Sequence, residues 1–542
     1  MKSIKRIFLI ISVTLFTVSC SDDYLIQETP HFISPDNLYT DEAGFDAGLN
    51  GLYALVRSER GGVAGDSNNL VASMMMAGTD IIYPGRRWNS EKFLIDWGED
   101  VIGVNAQGYF EWVWNWLYRI INSSNTIINR AENTNLNIPD EKIKRIIAEA
   151  KTIRAWSYRH LTFLWGDVPL NLEESEGKNV KTDWSRNSIQ EIRSIMRKDL
   201  EYAIQYLPEN HINDAKIIKA VAQHYLMELS IIENKNEEAI KLGLSILSGP
   251  KKLMTSRFGV NKDLPGNVYS DLFHDGNVNP SEGNTETLWA FQYEYETEGG
   301  EGNNIMRRWF MSNYDASNRG AKQLNVTADR GGRGNTRLAA TSFMLDLYDN
   351  EDDRGSYHAW RKFFIIKDFD TKAIGQFGQV GDTLYLSKTL DPAYPSGDKF
   401  RVFTRKWDWA LDIDPMIGRS YKDLAYLRLA ESYLLLAEAY VNINDKTNAA
   451  FYLNALRDRS NAPPVSVNEV DLDLILDERA RELYSEEHRR YTLLRTNKWM
   501  ERVNLYNINS RGKITERDKL YPIPQSFIDS NTDNLIENNP EY

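Results

Sequence analysis

The sequence predicts an all-α protein of stacked helix pairs with a long loop-rich segment between them. Three observations predict it: apolar residues recur at three- and four-residue steps through both ends of the chain, two distant segments repeat one helix-turn-helix pattern, and the stretch between them is irregular and rich in Gly, Asn, Asp and aromatic residues. With 542 residues, 42% apolar content and a single cysteine, the chain can build a large core and can form no internal disulfide.

The N-terminus reads as an export signal. Lys2, Lys5 and Arg6 precede an apolar run, Ile7 to Val18, that is too short for a bilayer, which needs roughly 20 such residues. Thr17-Val18-Ser19-Cys20 then fits a bacterial lipobox, except that Leu is usual where Thr17 stands. Residues 1–19 are therefore expected to be removed, leaving Cys20 as an acylated first residue, each buried methylene contributing ~0.8 kcal/mol to membrane anchoring. The alternative is an ordinary secreted protein with a buried cysteine.

Beyond the signal, Leu38, Phe45, Leu49, Leu52 and Leu55 predict a helix over Asp36 to Glu59, and residues 60–108 read as loops. Tyr109 to Asn133 carries Trp112, Trp116 and Ile120 on one stripe, a spacing that suits core packing better than a ligand platform. A third helix is expected to start at an Asp140 cap and to stop at Gly166, with Pro169 beyond. The segments from Ala222 and from Ala430 both read A-x-x-Y-L, a polar turn, then a second helix opening near Ala239 or Ala449. Both look like tetratricopeptide-type pairs, which bury their apolar faces only by stacking on neighbours. Residues 20–250 thus form an N-terminal helical region and 251–542 a second, loop-rich over 251–425 and helical over 426–542. Within the irregular part, "ETLWAFQYEYE" (286–296) alternates like a strand, with Trp289 packed in it.

A net charge of −13 and a pI near 5.3 argue against nucleic acid, whose phosphates require clustered Lys and Arg. Zinc, nucleophile-elbow and P-loop signatures are all missing, and the seven histidines are scattered singly. The acidic run "DNEDDR" (349–354) places Arg354 where a calcium loop needs Gly. No metal, no cofactor and no catalytic activity are therefore expected, although two carboxylates suffice for a glycosidase and 77 acidic residues leave that reading open.

Five stretches carry a resemblance. "GLNGLY" (48–53), "IAEAKTIRAWSYRHLTFLWGDVPL" (147–170), "YLRLAESYLLLAEAY" (426–440), "DERARELYSEEHRRYTLLR" (477–495) and "KLYPIPQSFIDSN" with the closing "NNPEY" follow, in order, the signatures of the SusD/RagB family of surface glycan-binding lipoproteins. His488, Tyr491 and Thr492 depart from the usual Gly, Trp and Asp. The resemblance implies tetratricopeptide-like pairs, a loop-rich binding face, a glycan ligand, and a SusC-like TonB-dependent outer-membrane transporter that the lipoprotein covers. It also makes Asp22 and Asp23 look like a surface-export signal. Within the signatures, Glu149, Arg154, Glu438, Glu478, Arg481 and Glu482 sit at helical spacings that favour structural ion pairs.

Sugar binding calls for aromatic rings that stack on pyranose faces and for in-plane amides, carboxylates and guanidiniums. "GTDIIYPGRRWNSE" (78–91) offers Asp80, Tyr83, Arg87, Trp88 and Asn89, and "NNIMRRWFMSNYDASNR" (303–319) offers Arg308, Trp309 and Tyr314. These are the expected ligand-binding residues. The RagB branch handles peptides, so a peptide-binding lipoprotein is the nearest rival; exposed platforms at Trp88 and Trp309 would favour glycan. A surface glycoside hydrolase and a protein scaffold are more distant alternatives.

Overall fold

The computed structural model describes residues 34–542 apart from 67–68, 86–96, 98–100, 102, 134–135, 176–180, 299, 301–303, 315–323, 370–377 and 389–400. The signal segment and Cys20 lie outside the described residues. The fold is mostly α, with four small two-stranded sheets among the described residues.

Helix α1, Glu42–Arg57, begins where the Asp41 side chain accepts the Gly44 N–H, and it buries Phe45, Leu49, Leu52 and Val56 at helical spacing. The expected single helix from Asp36 is broken at Tyr39: Pro35–Leu38 forms a separate turn. Helix α2, Val104–Asn133, and α3, Asp140–Trp165, follow. Asp140 is the first residue of α3 and not its cap; Pro139 holds the cap position without a side-chain bond, and Asp140 instead favours the helix N-terminus by its charge and pairs with Lys144 one turn on at 2.6 Å. Gly166 ends α3 at φ 77° and ψ −123°, and its amide bonds Thr162 O.

Helix α4, Ile189–Tyr206, starts from a Ser188/Glu191 capping box. The two echoed segments form α5, Lys219–Ile232, with α6, Asn236–Ser248, and α7, Leu429–Asn442, with α8, Lys446–Arg459. Both turns place an Asn in the left-handed region, Asn234 at φ 60° and Asn444 at φ 62°, a conformation Asn tolerates better than branched residues. The helices stack α2 on α3, α3 on α4, α4 on α5, α5 on α6 and α6 on α7, with α7 packed on α8 and on α9, Leu472–Leu483. The pairs that are distant in sequence thus bury each other's apolar faces: Met227, Ala239 and Ile240 share one cluster with Leu434, Leu436, Ala449 and Leu453. Gly243 allows the close approach, since a Cβ there would lie 2.9 Å from both Leu436 Cδ1 and Met227 Sδ. Among the described residues no helix is long and apolar enough to cross a membrane.

Short strands tie the irregular segment to this stack. Strand β1 is Ile82–Pro84, β2 Thr287–Phe291 and β3 Leu338–Ala340. Leu424–Arg428, which leads into α7, pairs antiparallel with β2, and Trp289 is fully buried in that sheet.

The signature charges hold this junction together. Arg354, Arg428 and Arg459 converge without solvent exposure on Glu286, Glu478 and Glu482; Arg428 Nη1 lies 2.6 Å from Glu286 Oε1, and Arg459 Nη2 lies 2.6 Å from Glu482 Oε1. Arg154 grips Asp199 in two bonds of 2.8 Å, Arg145 donates to Glu149 at 3.0 Å, Arg495 pairs with Glu438 and Arg481 with Glu478. Such pairs set register more than net stability, but losing one partner strands the other, at ~3–5 kcal/mol. In the acidic run, Asp352 pairs with Arg354 at 2.9 Å, and Asp349 with Arg457 at 3.0 Å.

Candidate ligand-binding site

The two stretches read as ligand-binding lie more than 200 residues apart, and a third segment brings them together. Strand β1 pairs antiparallel with β3, and the Gly85 amide donates to Arg337 O at 2.7 Å. On the other side, Arg337 N–H donates to Trp309 O and Thr336 N–H to Met311 O, each at 2.8 Å, while Asn313 N–H reaches Thr336 Oγ1 at 2.9 Å. Residues 336–340 are thus a spine with 82–85 on one flank and 309–313 on the other. The expected loop at 82–84 is a strand because its partner supplies the ladder; three residues carry too short a period to reveal it.

Several expected ligand residues turn out to be anchors of this spine. Asp80 is fully buried; Arg489 donates to its two carboxylate oxygens at 2.9 and 2.7 Å, and Arg502 Nε donates at 2.7 Å. Burial works against its charge, but the Arg489 and Arg502 guanidiniums outweigh it and hold the carboxyl below its usual range. Tyr83 is 2% exposed, hydrogen-bonded to Arg401, whose guanidinium carbon lies 5.4 Å from the ring centre. Trp309 is fully buried with Arg337 over its ring at 5.4 Å, so the exposed platform expected there is not presented. Tyr314, 1% exposed, donates to Gly332 O at 2.6 Å and packs on Phe364. Arg308 is half-buried beside Gly418. Arg87, Trp88 and Asn89 lie outside the described residues. The apolar run around Asp80, Met74 to Ala77 and then Ile81 and Ile82, was the signal for a buried carboxylate in need of a cation; Arg401 and Arg337 sit in irregular sequence and gave none.

The core also holds a buried polar centre of Glu59, His160 and His488, whose ligating atoms fall within 4.8 Å of one another. Arg159 Nη1 lies 3.0 Å from His488 Nδ1; a guanidinium only donates, so Nδ1 accepts, and Nε2 carries the proton it gives to Glu59 Oε1 at 2.8 Å. Tyr426 also donates to Glu59, and Tyr491 shares a 2.8 Å hydrogen bond with His160 Nδ1. His488 and Tyr491, two of the departures from the signature, are therefore partners in one network. Burial opposes the charge of Glu59, yet His488, Arg60 and His160 hold its carboxyl well below the ordinary range.

Stacked helix pairs with an irregular segment pinned to them by a short spine define a mostly α, tetratricopeptide-like helical-repeat protein. Residues 285–542 match the family model described as SusD family, and residues 52–223 the one described as starch-binding associating with outer membrane. The chain belongs to the SusD/RagB family. It is 25% identical to a SusD-like protein of Formosa agariphila, over 89% of this chain and 88% of that one. Its fold is similar to a structure described as a laminarin binding SusD-like protein, with a TM-score of 0.67 and 21% identity over 93% of this chain and all of the other. It is likewise similar to surface glycan-binding protein A from Bacteroides fluxus, with a TM-score of 0.67 and 16% identity over the same shares.

Proposed function

We propose that this protein is a cell-surface lipoprotein that binds oligo- or polysaccharide and passes it to a SusC-like TonB-dependent outer-membrane transporter, without catalysis and without a cofactor. Membership of the SusD/RagB family carries the reading, and the relatives described as laminarin-binding and as surface glycan-binding support it. The chain is exported, loses residues 1–19, and is held on the outer membrane by acylated Cys20. Its helical region, 20–250, and its second region, 251–542, share one core, which supports their acting as one body. Glycan contacts come from Arg87, Trp88, Asn89 and Arg308; Asp80, Tyr83, Trp309 and Tyr314 hold the supporting backbone in place. Affinity electrophoresis against plant, host and microbial polysaccharides tests the binding role. Retardation by one of them is expected; no retardation by any, with capture of peptides instead, would overturn the glycan reading.

A further inference from the structure

On α2, an aromatic or amide residue and a polar neighbour recur as pairs: Trp114-Asn115, Tyr118-Arg119 and Asn122-Ser123, each four residues after the last. That step keeps all six on one side of the helix. They floor a surface groove of about 650 Å³, walled by the segment after α3 and by Trp184 and Phe527. Ligand sites for small molecules occupy about 300–1,000 Å³.

The walls are fixed in place. Ser175 N–H donates to Asn122 Oδ1 at 2.9 Å, and Tyr118 Oη donates to Pro169 O at 2.7 Å. Asn531 Oδ1 accepts the Trp184 amide at 2.7 Å, while the Nδ2 groups of Asn531 and Asn534 donate to Trp184 O at 3.0 and 2.8 Å. Trp114, buried beneath the floor, packs against Tyr118 at 5.0 Å and Phe527 at 5.1 Å. Tyr118, Trp184 and Phe527 remain half-buried, leaving apolar ring surface in the groove. Beside them Asn115 and Arg119 are exposed, and among the described residues Arg119 has no hydrogen-bond or ion-pair partner. The lining holds no Asp or Glu. Preset rings next to free amide and guanidinium donors match a sugar, with an apolar pyranose face and in-plane oxygens.

We infer that this groove is a second carbohydrate site, separate from the spine-borne face, which takes a short oligosaccharide. The rings stack on the sugar, and Arg119 and Asn115 donate to its hydroxyl or carboxylate oxygens. The inference rests on the glycan reading above. Two sites on one chain would hold a long polymer more firmly than either alone, since the second contact is intramolecular.

Isothermal titration of the purified protein with laminarin, pectin and alginate oligosaccharides tests it, because the stoichiometry counts sites. Two equivalents are expected for one of these, with one site weakened about tenfold in Arg119→Ala and in Trp184→Ala, and unchanged in Trp88→Ala. Arg119 is exposed, so its variant should melt like the wild type. One equivalent, indifferent to Arg119→Ala and to Trp184→Ala, would overturn the groove and leave the glycan reading standing. One equivalent lost in Arg119→Ala and kept in Trp88→Ala would support the groove and move the main site there. No heat with any of the three would overturn the groove, and no electrophoretic retardation besides would take the glycan reading with it.

Discussion

Asp80 shares its two oxygens between Arg489 and Arg502, with no exposure to solvent. Asp80→Asn strands two buried guanidiniums and should cost ~3–5 kcal/mol in chemical denaturation; an unchanged midpoint with lost glycan binding would show that Asp80 serves the ligand instead. Titration provides a second test. Burial holds His224 down at about 3, below its unfolded value of about 6.5. At pH 5 the unfolded chain thus binds the extra proton, so this residue makes stability fall as pH drops from about 6.5 towards 3, by ~1 kcal/mol per pH unit. His211 and His274, held at about 4 by burial, act in the same direction, whereas Asp423, raised to about 6 by burial, opposes them between pH 6 and its unfolded value. Melting curves of His224→Gln should accordingly lose less on acidification than those of the wild type; parallel losses would contradict the assignment. At this scale the sequence was a partial guide. It identified the signature charges as structural, but helical spacing supplies a partner only for Glu149, in Arg145, and for Glu478, in Arg481, whereas Arg154, Glu438 and Glu482 reach partners on other elements; nor did it show that Tyr83, Trp309 and Tyr314 are buried, since their partners Arg401, Arg337 and Gly332 come from other segments.

Gly166 closes α3 with a backbone that L side chains rarely adopt, and a Cβ there would meet Leu520 Cδ1 at 2.9 Å. Gly166→Ala should therefore cost ~2 kcal/mol, read as a lower urea midpoint; an unchanged midpoint would show that the turn can relax. Long helices were legible in the sequence because α2, α3, α5 and α7 each repeat their apolar period several times. The echo between α5–α6 and α7–α8 was legible too, down to the small Ala239 and Ala449 at the packed faces. Strands of two to five residues were not, with the exception of β2, whose alternation is local. β1 and β3 exist only because each supplies the other's hydrogen bonds.

Across the whole molecule, the buried charges of Arg428, Arg459, Glu286 and Glu482 join β2 and the strand before α7 to the helix stack, so the irregular segment is fastened to the scaffold at its base. The proposed tether at Cys20 has its own test: Cys20→Ala should move the protein from the membrane fraction to the soluble one, and retention in the membrane would argue for another anchor. The proposed transporter partner rests on the family signatures alone, because no local pattern of residues encodes a transporter. The proposed division of labour gives glycan contact to Trp88 and the pinning of the 336–340 spine to Trp309, whose carbonyl accepts the Arg337 amide. Titrating the shortest retarded oligosaccharide into Trp88→Ala and Trp309→Phe, with melting curves for both, tests that claim most directly. The account predicts that Trp88→Ala loses affinity and keeps its melting temperature, while Trp309→Phe melts lower and still binds. The reverse pattern, affinity lost in a normally melting Trp309→Phe and kept in Trp88→Ala, would contradict it.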